Sequence, residues 1–165
     1  MDVNRRVLII DNDPDFLWLA TILLLEKKFP TWAILIGEDD AALRSPDLAM
    51  LAFMARSDVP LRSDRQSGRI SRSMNTFTVG RSRSLDRVVA AVREFQPGTI
   101  VIDHFFGEVG FSGIDIVQAT HLENVSLIGT CTTEKQLYCG CVFDQKRDFS
   151  LLIDSSRKAF LALFR

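Results

Sequence analysis

Short apolar runs that alternate with helical patterns constrain this chain more than any other feature. VLII behind Arg5 and Arg6, WAILI from Trp32, TIVI before Asp103 and VSLIG before Thr130 are apolar or β-branched nearly throughout. Strands buried on both faces of a parallel sheet look like this, since neither face needs a polar residue. Helical patterns fill the gaps. After VLII, Asp13 and Pro14 supply an N-cap and a proline at the first helical position, and Phe16, Leu17, Ala20, Leu23 and Leu24 recur with helical period over about 14 to 28. SPDLAMLAFMAR from Ser45, SLDRVVAAVREF from Ser84, GIDIVQAT from Gly113 and a short TEKQLYC repeat the theme. VFDQK, ending at Lys146, reads as a last strand and FSLLIDSSRKAFLALF as one closing amphipathic helix. Strands alternating with helices predict a doubly wound parallel sheet.

With 165 residues, 47% of them apolar, the chain has enough material for one buried core without disulfides. Five strands and about five helices suit the flavodoxin-like α/β class. The net charge of -1 argues against a chain built for nucleic acid or a membrane surface. The apolar run near the start is only four residues long, too short for a signal peptide or a span, so the expected location is cytoplasmic. Cys131, Cys139 and Cys141 form an odd set with no C-x-x-C and read as small core residues in a reducing compartment.

One stretch breaks the pattern. From Arg56 to Arg87 there are eight arginines against three aspartates, a local +5 that leaves -6 for the rest, together with seven serines. Only NTFTVG, residues 75 to 80, alternates like a strand, so a long loop with at most a small hairpin is expected. The chain is thus read as a single domain, 1–165, with an insertion at about 44–83. Nucleic-acid contact there is disfavoured because Phe77 is the lone aromatic ring available for base stacking. A protein partner, or an acidic patch on this same domain, is the better expectation.

In a doubly wound sheet the ligand lies beyond the carboxyl ends of the strands. Those ends carry Asp11, Asn12 and Asp13, then Asp103, Thr130 and Lys146. Acids, a hydroxyl and a lysine at one edge suit phosphoryl transfer to a carboxylate, with a hard cation on the oxygens. In this order the motifs resemble the receiver domain of two-component response regulators. VLIIDNDPDFL is similar to the family's first strand and acidic pocket, and QPGTIVID to the strand bearing the acceptor aspartate. VSLIGTC is similar to the strand ending in the switch Thr/Ser, and VFDQK to the strand with the lysine, with Phe143 where the family has its rotameric aromatic. The resemblance covers residues 5 to 43 and 84 to 165.

The resemblance implies that Asp103 accepts a phosphoryl group from a histidine kinase or phosphotransfer partner. Asp11, Asn12, Asp13 and Asp103 would hold Mg²⁺, Lys146 would pair with the product, and Thr130 and Phe143 would switch a surface for a downstream protein. On that reading the domain is a phosphoacceptor rather than an enzyme with an external substrate, and it acts by docking onto something else. Several residues depart from the family. Asn12 replaces the second acid of the pocket, so Mg²⁺ would be held weakly or not at all unless Asp13 turns inward, which competes with its capping role. Gly107 and Gly113 stand four and ten residues after Asp103, where the family has a proline at four and a glycine at eight. Arg147 replaces the usual proline after the lysine. A degenerate receiver, acting as a phosphorylation-independent interaction module, is the alternative.

Overall fold

The computed structural model describes residues 5–37, 62–64, 69–71, 77–82, 84–131 and 136–164, with only the backbone path described for 62–64, 69–71 and 77–82. Strand β1 (Val7–Asp11) is buried along its whole length. Its neighbours are β2 (Thr31–Ile36) on one side and β6 (Thr99–Ile102) on the other, followed by β7 (Ser126–Gly129) and β8 (Cys141–Val142). These five expected strands are all parallel, in the order β2-β1-β6-β7-β8, which is consistent with a flavodoxin-like α/β fold.

Alternation along the strands explains why they are apolar throughout. Val7 and Ile9 pack on one face beneath α1 (Pro14–Glu26) and α5 (Asp154–Ala162), with Phe16, Leu17, Ala20, Leu24 and Phe160. Leu8 and Ile10 pack on the other beneath α2 (Leu85–Phe95) and α3 (Gly113–Thr120), with Val88, Val92, Phe95 and Ile116. Each large side chain buried there contributes about 1.5–3 kcal/mol, so the two layers carry the stability. The expected cap of α1 is formed: Oδ1 of Asp13 accepts the backbone N–H of Asp15 at 3.0 Å and of Phe16 at 3.3 Å. No helix among the described residues is long and apolar enough to cross a membrane.

Three features differ from the expectation. The arginine-rich stretch contains β3 (Arg62–Asp64), β4 (Arg69–Ser71) and β5 (Phe77–Ser82). β5 runs parallel to β2 over six residue pairs, Thr31 with Phe77 through Ile36 with Ser82, and the β3–β4 hairpin continues the sheet antiparallel beyond it. A bare β2 edge would present unpaired backbone groups, and the alternation in TFTV suffices to cover them. Second, the closing helix is two: α4 (Lys146–Ser150) and α5, separated at Leu152, which takes φ 63°. Leu151, Leu152 and Ile153 are exposed there, so their apolar run does not continue a helix face. Third, β8 is only two residues long, which moves Lys146 from a strand end to the first turn of α4. The helical pattern at SPDLAMLAFMAR lies outside the described residues, and the described part of TEKQLYC forms a turn.

Replacing residues 62–71 with a short Gly/Ser linker should leave cooperative urea unfolding intact. Extending the excision through residue 82 removes the β5 cover from β2 and should lower the unfolding free energy by on the order of 3 kcal/mol, the net worth of a few ladder hydrogen bonds.

Candidate functional site

Backbone pairing brings the acids together. The N–H of Asp103 donates to the Ile10 carbonyl at 3.0 Å, setting Asp103 beside the end of β1, and the N–H of Thr130 donates to the Ile102 carbonyl at 3.1 Å, setting Thr130 beside the end of β6. Lys146 then reaches across. Its Nζ donates to Oδ1 of Asp11 at 2.8 Å and to Oδ2 of Asp103 at 2.9 Å. The Thr130 hydroxyl donates to Oδ2 of Asp11 at 3.3 Å. Oδ1 of Asp103 accepts the backbone N–H of His104 at 2.6 Å and, more weakly, that of Phe105 at 3.5 Å. The first turn of α4 thus delivers the lysine, with every described peptide bond trans. Arg147 in place of a proline does not prevent it.

Asp11 is fully buried, whereas Asp103 is 9% exposed and opens onto a cleft of about 560 Å³. Asp13, Thr130, Asp144, Lys146 and Arg147 line that cleft, with Phe105 and Leu151 as its apolar wall. A cleft of about 640 Å³ at the amino ends of the strands, around Val7, Thr99 and Ser126, gathers neither an acid nor a base. Among the described residues, Asp11, Asp103 and Lys146 gather at the carboxyl edge.

The electrostatics follow from burial. Desolvation raises the Asp11 carboxyl to about 6, with Lys146 pulling it down and the neighbouring Asp103 pushing it up. For Lys146, burial alone would lower the ammonium, but Asp11 and Asp103 outweigh it and the net shift is upward. The lysine is therefore charged between two carboxylates, one of which is held there at an energetic cost.

Not every expected site residue converges. Asp11, Asp103, Thr130 and Lys146 do. Asn12 is exposed and does not line the cleft. Asp13 lines it, but its Oδ1 caps α1. Phe143 is buried on the α1/α5 face, with ring centroids 6.3 Å from Phe16, 5.9 Å from Phe149 and 5.2 Å from Phe160. For Mg²⁺ the donor set is sparse: among the described residues no three His, Cys, Asp or Glu side chains gather around one point. Asp103 opens onto the cleft but Asp11 does not, and the Asp11 oxygens already accept from Lys146 and Thr130, so an ion held by the two acids would have to displace the lysine. The sequence does not single out His104, Gln136 and Tyr138, which lie behind Asp103. Their signal, polar residues in a segment read as a loop and a short helix, was weak. No protein-family model, curated protein or solved structure matches the chain.

The raised Asp11 carboxyl gives a stability prediction with a definite sign. Between about pH 4 and 6 the folded chain holds a proton on Asp11 that the unfolded chain has lost, so this group's contribution is present at low pH and lost as pH rises through 6. Asp11→Asn should therefore stabilise the protein at pH 7, by on the order of 2 kcal/mol. In thermal melts that gain should shrink toward zero below pH 4.

Proposed function

We propose that this chain is a receiver-type signalling module in which Asp103 accepts a phosphoryl group from a phosphohistidine on a kinase or phosphotransfer partner. The observation that carries this reading is the Lys146 ammonium lying within hydrogen-bond distance of both Asp11 and Asp103 at the carboxyl edge of a parallel sheet. A carboxylate attacking phosphorus needs its charge offset and its oxygen aimed; the ammonium supplies the first and the His104 and Phe105 amides the second. In the transfer an Asp103 oxygen forms the new P–O bond as the P–N bond to the donor imidazole breaks. The electron pair leaves with the imidazole. Lys146 then pairs with the phosphoryl oxygens, and Thr130, one strand away, has a hydroxyl to offer them.

Mg²⁺ fits this site only through Asp11 and Asp103, where it would neutralise oxygen charge, and Lys146 competes for the same atoms. The exposed Asn12 and the capping Asp13 favour a second reading, in which the fold persists as an interaction module that no longer takes phosphate. Incubation with acetyl phosphate and Mg²⁺ separates them. Intact mass should show one phosphoryl adduct that Asp103→Asn abolishes; absence of any adduct on the wild-type chain would establish the second reading.

The same reaction has an expected pH profile. Asp11 is charged above about 6 and neutral below it, so its capacity to hold a cation beside Asp103 is lost on acidification. Labelling at pH 5 should therefore be slower than at pH 7 by about tenfold, the share of Asp11 left ionised one unit below its midpoint. Raising Mg²⁺ should partly restore it.

A further inference from the structure

The connection from β7 to β8 contains a buried polar residue that the transfer chemistry does not use. Gln136 is 1% exposed. Its Oε1 accepts the backbone N–H of Cys131 at 2.6 Å, and its Nε2 donates to the Ile102 carbonyl at 2.9 Å. A backbone donor on one side and a backbone acceptor on the other fix which end of the amide is which. The side chain therefore ties the residue after Thr130 to the residue before Asp103. Nε2 also reaches the Tyr138 hydroxyl at 3.4 Å, and that hydroxyl lies 3.3 Å from Nδ1 of His104.

Two glycines make the space. A Cβ on Gly129 would fall 2.4 Å from Oε1 of Gln136, and one on Gly113 would fall 2.5 Å from the Tyr138 hydroxyl and 2.3 Å from the Asp103 carbonyl oxygen. Any other residue at either position would displace the network. The slots accept these two side chains and nothing larger on the opposing backbone.

We propose that Gln136 is a positioning residue whose amide holds the backbone after Thr130 against the end of β6, keeping the Thr130 hydroxyl on Asp11 and restraining its approach to Asp103. The effect on phosphoryl uptake rests on the function proposed above; the effect on Thr130 does not. A buried amide with its partners satisfied is costly to disengage, because its own oxygen and nitrogen would be left unpaired away from water. As the P–O bond to Asp103 forms, closing of the Thr130 hydroxyl on the phosphoryl oxygens must stretch the Gln136 to Cys131 bond. Uptake is thereby slowed until that bond gives.

Gln136→Met keeps the volume and removes both hydrogen bonds, whereas Gln136→Glu keeps an acceptor for the Cys131 amide. In the Met variant, hydrogen exchange at the Cys131 amide should speed by about tenfold or more, and side-chain couplings should show Thr130 averaging between rotamers. Labelling of Asp103 by acetyl phosphate should rise by about threefold to fivefold, the worth of one hydrogen bond removed from the resting state. The Glu variant should return all three toward wild type, which a mere space-filling role would not require. If it does not fold, the comparison of Met with wild type decides. A single Thr130 rotamer in the Met variant overturns the inference whether or not Asp103 takes label. Thr130 freed, with equal labelling of variant and wild type, overturns the restraint on uptake. Thr130 freed with no labelling of either chain upholds the positioning role and sinks the phosphoacceptor reading instead.

Discussion

The Lys146 ammonium between two carboxylates is the contact around which the carboxyl edge is organised. Two acids this close in a partly dry site would repel, and Asp11 has no solvent to turn to. The lysine offsets both charges, and geometry as much as charge keeps it there: its amine sits 5.3 Å from the Phe16 ring centroid, over the aromatic layer of the core. Buried ion pairs of this kind rarely stabilise a fold relative to an apolar replacement. An arrangement that costs stability at neutral pH and concentrates charge beside a cleft supports the reactive role proposed for Asp103, although structural ion-pair networks share that feature.

How much of this could be read from the sequence depended on how local the signal was. VLII, WAILI and TIVI are buried almost throughout and VSLIG at Ile128 and Gly129, so composition alone marks them as strands, and the parallel order follows from the helices between them. Asp11, Asp103 and Thr130 were legible for the same reason: each ends such a run. Lys146 meets the two acids from the first turn of α4 rather than from a strand end, because VFDQK reads as strand while the hydrogen-bonded strand stops at Val142. The break at Leu152 was invisible, since an apolar run looks the same inside a helix and on its exposed end.

The remaining discrepancies came from long-range pairing. Nothing within residues 62–82 announces that its last strand will lie against β2, since only the vacant edge of a distant strand gives it somewhere to go. Likewise Gln136 has no local pattern; its role comes from two backbone groups, 5 and 34 residues away, meeting at one amide. The place of Asn12 in the sequence suggests a ligand, but the chain bends there and leaves it exposed, and the capping demand of α1 takes Asp13.

The phenylalanine cluster beneath the site has a further consequence. Phe16 and Phe143 stack, while Phe149 and Phe160 close around them at 5.0 to 6.0 Å between centroids. Four interlocked rings cannot tilt singly, because rotating one drives its edge into the next. Phe149 belongs to α4 beside the lysine, and Phe160 to α5 on the outer layer. The cluster therefore couples α4 to α5 mechanically, since neither helix can shift against the sheet without repacking rings that the other also touches.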